Sequence, residues 1–181
     1  MTLPTFAPGK PGSDEYAPYY RTYVSLVPEN DIVATLEKQA QETVSLLAPR
    51  KEADGDFSYA PGKWSLKEVL GHLIDSERVF SYRILRIARN DKTPMEGFEQ
   101  DDYVQYGPFR RSTLAVLVEE FKSVRLATLS LLRGLDEDSW VRRGVANKNE
   151  VSVRGIAYII AGHELHHRKI LQEKYLAQTR T

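Results

Sequence analysis

The sequence contains no cysteine in its 181 residues. That absence removes disulfides, thiolate zinc sites and cysteine nucleophiles together, and leaves His, Asp and Glu as metal ligands. Net charge is absent as well: 25 Lys plus Arg balance 25 Asp plus Glu, so no overall field draws nucleic acid or an anionic membrane. Nowhere do 18 apolar residues run together, and the opening "MTLPTFAPGKPGSDEY" lacks the apolar core of a signal peptide. A cytoplasmic protein with no membrane span and no nucleic-acid partner is the expectation. Histidine is scarce, four in all, so the placement of each one carries information.

What is present reads as one domain over residues 1–181, long enough to bury a core without staples. Four segments show helical periodicity. The first follows Asn30 or Asp31, either able to cap, and carries Ile32, Leu36, Ala40, Val44 and Leu47 until Pro49 stops it. The second opens at "KWSLKEV", where Ser65 and Glu68 have capping-box spacing, and continues to about Arg89. The third spans roughly Arg111 to Arg133, with Gly134 as C-cap, and the fourth runs from Ser152 to about Tyr175. A short hairpin fits "SWVRRGVANKNEVSV". The fold class is therefore all-α, a four-helix bundle. Residues 91–109 form a connection long enough to run the length of the bundle, which lets the second and third helices lie parallel. Residues 1–28, rich in Pro and Tyr, read as an extended N-terminal arm. Trp64 and Trp140 read as staples at the bundle ends.

The last helix holds "GHELHHRKIL". At 100° per residue, His163 and His167 fall within about 20° of the centre of a stripe defined by Ile156, Ile159, Ile160 and Ile170. His166 and Glu164 are displaced to opposite sides. Two inward imidazoles one turn apart must satisfy their ring nitrogens, which a metal ion does and which hydrogen bonds to Tyr or Glu can also do. His163, Glu164 and His167 also fit the H-E-x-x-H pattern of zinc proteases, but no third ligand of that class follows in "RKILQEKYLAQTRT". The remaining histidine is His72, flanking the apolar stripe of the second helix. Three histidines from two helices would leave positions open for water or substrate. Glu77, near the centre of that same stripe, calls for a buried Arg or Tyr partner, or else for a ligand histidine to orient.

"KWSLKEVLGHLIDSERVFSYRILRIARND" followed by "VSVRGIAYIIAGHELHHRKIL" resembles the DinB-like superfamily, the DinB/YfiT family of metal-binding four-helix bundles. The resemblance implies an up-down-down-up topology, frequent dimerisation, and a divalent ion held by His72, His163 and His167. It also implies either thiol S-transferase chemistry with bacillithiol, mycothiol or glutathione, or metal-dependent hydrolysis. The leading expectation is a transferase joining a small-molecule thiol to an electrophile. The alternatives are a hydrolase using Glu164 or Glu99 as base, and a non-catalytic metal-stabilised binding module. Imidazole ligands suit zinc or nickel first, and admit iron, manganese and copper.

Overall fold

The computed structural model describes residues 8–28 and 31–177. The helices are α1 (Arg21–Val24), α2 (Ile32–Leu47), α3 (Glu52–Gly55), α4 (Leu66–Ala88), α5 (Gln100–Tyr106), α6 (Leu114–Arg133), α7 (Glu137–Val141) and α8 (Val153–Ile170). A two-stranded hairpin, β1 (Arg143–Ala146) and β2 (Asn149–Ser152), precedes α8. Its turn places Asn147 and Lys148 at positive φ, 48° and 63°, the conformation that a two-residue hairpin loop demands.

The four long helices begin where their capping chemistry places them. Asp31 Oδ1 accepts from the Val33 and Ala34 amides at the start of α2, while Asn30 lies outside the described residues. At α4 the capping box is reciprocal: Ser65 Oγ accepts from Glu68 N, and Glu68 Oε2 accepts from Ser65 N at 2.7 Å. Thr113 caps α6, which starts later than its periodicity predicts because residues 109–111 form a separate 3₁₀ turn. Ser152 caps α8, and a wider π turn carries the chain on to Tyr175.

Pairs of contacting residues fix the helix directions. Leu114 at the start of α6 and Lys67 at the start of α4 both lie against Gly55. Further along, Arg78 pairs with Glu120 and Arg125 with Glu77. These two helices therefore run parallel. Ile32 and Leu36 at the start of α2 share one apolar block with Ile156 at the start of α8, and Leu47 shares another with Leu171, so α2 and α8 also run parallel. By contrast, Arg133 near the end of α6 meets Glu37 near the start of α2. The order is up-down-down-up. The connection that makes it possible is structured, since it contains α5, and Met95 bridges to the hairpin through Met95 N–Val145 O at 2.9 Å and Asn147 N–Met95 O at 2.8 Å.

The N-terminal segment differs from an extended arm. Pro18–Tyr20 forms a 3₁₀ turn that leads into α1, which packs across α8. Residues 1–7 lie outside the described residues. Trp140 is buried in one apolar block, and Trp64, partly buried, packs against the other and against His72 at 4.9 Å between ring centroids.

The buried apolar side chains form two blocks. One holds Ile32, Leu36, Phe80, Ile84, Leu129, Trp140 and Ile156 to Ala161. The other holds Leu47, Leu66, Leu70, Ile74, Leu117, Phe121 and Leu171. Between them, in chain order along every long helix, lie Gln39 and Thr43, His72, Ser76 and Glu77, Arg125 and Thr128, and His163 and Glu164. A polar layer thus crosses the middle of the bundle. Each member needs a partner there, because an unsatisfied buried polar group costs ~1–3 kcal/mol.

Candidate metal centre

The antiparallel neighbours α4 and α8 bring His72, His163 and His167 to one place. One donor nitrogen from each lies within 4.8 Å of the others. Ring centroids stand 4.8 Å apart for His72–His163, 4.9 Å for His72–His167 and 4.6 Å for His163–His167, all edge to face. His72 Nε2 and His163 Nε2 approach to 2.9 Å. Tetrahedral ligands at ~2.1 Å from zinc stand roughly 3.4 Å apart, so small side-chain adjustments convert this cluster into a three-nitrogen cage. Ser76 Oγ lies 3.4 Å from His72 Nδ1, on the side of the ring away from the cluster, where it favours Nε2 as the ligand atom.

The electrostatics suit a cation. Burial pushes the His72 pKa down to about 4. Burial, then the neighbouring His72 and His166, lower His167 to about 3. His163 is held well below the ordinary value, first by burial and then by His167 and His72. All three rings are neutral at pH 7, with lone pairs available, as metal binding requires. The donor set fits a divalent ion.

His166 stays half-exposed beside Tyr23, with ring centroids 5.3 Å apart. Tyr23 also edges onto His163 at 5.4 Å. Gly162 explains how α1 comes this close: a Cβ there would lie 2.1 Å from the Tyr23 carbonyl oxygen.

Glu164 sits where its helical-wheel displacement puts it, but its carboxylate is committed elsewhere. Oε1 accepts from Thr43 Oγ1 at 2.6 Å and Oε2 from Arg125 Nη2 at 2.8 Å. Arg125 also holds both oxygens of Glu77 at 2.8 Å and donates to Leu36 O. Burial alone would lower the Arg125 pKa, yet Glu164 and Glu77 outweigh it and push it up. The general-base role expected for Glu164 therefore meets a carboxylate already bonded at both oxygens, on the face of α8 turned to α2 and α6. Glu77 has the buried arginine partner that its position demands.

Beside the histidines opens a cavity of about 360 Å³, walled by α4, α8, the N-terminal segment, the hairpin and the α4–α5 connection. Glu99 lies on its wall as an exposed residue at the start of α5. Tyr20, Tyr23, Phe80 and Arg83 line it too. Sequence patterns did not single out Trp64 or Tyr23 for this site. Both lie in segments without periodicity, and only the packing brings them to the histidines. Among the described residues, no helix is long and apolar enough to cross a membrane.

Comparison with known proteins places this geometry in context. A family model described as the DinB superfamily matches residues 35–171. The structure is similar to Bacillus subtilis YfiT, described as a probable metal-dependent hydrolase with an unusual four-helix bundle topology, at 16% identity and TM-score 0.75, covering 92% of this chain and 95% of that one. It is similar to a mycothiol-dependent maleylpyruvate isomerase at 13% identity and TM-score 0.66, covering 80% of this chain and 61% of that one. A DinB-like protein of Bacillus subtilis matches at 20% identity and TM-score 0.62, covering 84% and 94%. No protein of curated function matches the sequence significantly.

Proposed function

The chain belongs to the DinB superfamily, and from that premise we propose that it is a divalent-metal-dependent enzyme with thiol S-transferase-like chemistry. His72, His163 and His167 hold the ion. The observation that carries this reading is the convergence of three neutral imidazoles, donor nitrogens within 4.8 Å, beside a cavity of about 360 Å³. A divalent ion, zinc or nickel first, supplies Lewis acidity that lowers the pKa of a thiol or of water at neutral pH.

The chain's own residues orient and shield. Ser76 favours the ligating tautomer of His72, and Tyr20, Tyr23 and Phe80 line the cavity with aromatic surface that limits water. A thiol nucleophile suits this environment because it releases its proton to solvent before reaction and needs no carboxylate in contact. The mycothiol dependence of one similar protein is in keeping with this. Metal-dependent hydrolysis is the second reading, in keeping with the description of the Bacillus subtilis relative. Its base would be Glu99, since Glu164 is occupied. A homodimer in the cytoplasm is the assembly and location proposed with it.

Metal analysis of purified protein should give up to one divalent ion per chain. Alanine at His72, His163 or His167 should each weaken binding by more than ~100-fold, beyond the effect of losing a supporting hydrogen bond, and His166→Ala far less. Equal losses for all four histidines would overturn the assignment. With cobalt in the site, a cellular thiol should add sulfur charge-transfer bands. No band with any thiol, together with turnover of an ester or amide, would put the hydrolase reading first.

A further inference from the structure

Among the described residues, Arg83 and Arg125 are the buried arginines, and their surroundings differ. Arg125 is 1% exposed and faces two carboxylates. Arg83 is 5% exposed, and among the described residues it forms no ion pair. Its Nη2 donates to the Glu96 carbonyl oxygen at 2.8 Å, and the neutral Tyr20 hydroxyl is its side-chain neighbour. Its guanidinium lies 5.9 Å from the ring centroids of Phe80 and Phe98. Glu99 shares the cavity with it and is not paired to it. A guanidinium stays charged in any protein environment, and buried cations ordinarily have a carboxylate partner. Arg83 has a cavity instead.

Arg83 occupies the same face of α4 as His72, Ser76 and Phe80, at successive spacings of four, four and three residues. The helical rise puts the backbones of His72 and Arg83 about 16 Å apart. An arginine side chain on a helix leans back toward the N-terminus, here toward His72, as its position by Phe80 indicates. That leaves roughly 10 Å between the guanidinium and the histidine cluster. Aromatic and aliphatic side chains occupy the interval: Tyr20, Phe80, Ile156 and Ile159.

We infer that Arg83 is a specificity-determining residue that binds the anionic end of an extended substrate whose reacting group lies at the three histidines. The ligand class is a carboxylate or similar oxyanion joined to its reacting atom by a spacer of about 10 Å, with an apolar middle. A small acid cannot bridge the two ends. Two N–H groups of the guanidinium fork can donate to one carboxylate bidentately, and the enclosing rings strengthen that pairing by excluding water. The inference deepens the proposed metal-dependent reading and rests on it for the reacting end only.

The test uses two arms. In the first, metal-free protein is titrated calorimetrically with straight-chain alkanoates and with their methyl esters. Wild type should prefer the acid over the ester by roughly tenfold or more, and Arg83→Met should remove that preference. Arg83→Lys should keep part of it, having charge without the fork. In the second arm, cobalt-loaded protein is titrated with ω-mercaptocarboxylates from mercaptoacetate to mercaptoundecanoate. Affinity should rise with chain length, reach a maximum where the carboxylate meets Arg83, and become length-independent in Arg83→Met. Binding of 2-mercaptoethanol, which carries no anion, should be unchanged by that substitution. Circular dichroism and metal content confirm that the variants fold.

Equal binding of acid and ester by wild type, or an unchanged acid preference in Arg83→Met, would overturn the anion site. Its failure is separable from failure of the thiol reading. If no thiol perturbs the cobalt spectrum while the alkanoate preference depends on Arg83, the thiol chemistry falls and the anion site stands.

Discussion

Glu164 shows how one residue can carry two incompatible expectations. Its place in an H-E-x-x-H sequence assigns it to catalysis, and its bonds to Arg125 and Thr43 assign it to the frame. The two outcomes separate by measurement. Glu164→Gln should keep metal binding and lose about 1–3 kcal/mol of stability, the cost of weakening a buried charged hydrogen bond. Arg125→Met should lose more, about 3–5 kcal/mol, because it strands both Glu77 and Glu164 without a counter-charge. Urea unfolding of the metal-loaded proteins measures both. If Glu164→Gln instead abolished turnover at unchanged stability and unchanged metal content, the base role would return.

At the scale of elements, the four long helices were legible because periodicity and caps agree in each. Ser65 with Glu68, Asp31, Thr113 and Ser152 mark beginnings that the hydrophobic stripes then continue. The clustering of His72, His163 and His167 was legible for a related reason, since two of them fall on the centre of a stripe where an unpaired imidazole is expensive. His72 at the stripe's edge could face inward by its wheel position, and the family resemblance also pointed to it. The short elements were hidden. Residues 18–24 and 100–106 are too brief for periodicity to register, and their helicity comes from docking on α8 and α4. Tyr23, a neighbour of His163 and His166, was missed for that reason. Gly162 is where the docking is most sensitive: Gly162→Ala should force α1 off α8, with a loss of about 3 kcal/mol. His163 and His166 should lose their Tyr23 contacts at the same time. A rise in histidine accessibility to diethylpyrocarbonate, alongside the lowered melting temperature, measures this. Unchanged reactivity would mean that α1 does not cover the site.

For the whole molecule, the polar layer between two apolar blocks makes stability a function of pH and of metal together. Unfolded histidines take protons near pH 6.5. The folded metal-free chain resists doing so until about pH 4 at His72 and about pH 3 at His167, both held down chiefly by burial. The unfolded state therefore binds more protons over that window. Metal-free protein should hold its melting temperature above pH 6.5 and lose it progressively as pH falls toward 4. Zinc-loaded protein should show a higher melting temperature at pH 7 and release its ion over the acidic part of the same range. A melting temperature independent of pH between 7 and 5 in the metal-free form would contradict the burial of these rings. The layer has one more consequence, for the order in which the protein comes into being. His72 and His163 lie 91 residues apart in the chain. During synthesis, α2, α4 and α6 emerge from the ribosome with a single ligand histidine among them, and three sides of the bundle stand without their fourth. Only the final helix completes the cage. A nascent or truncated chain lacking α8 carries one of the three clustered histidines, so metal uptake at this cluster should follow the docking of α8.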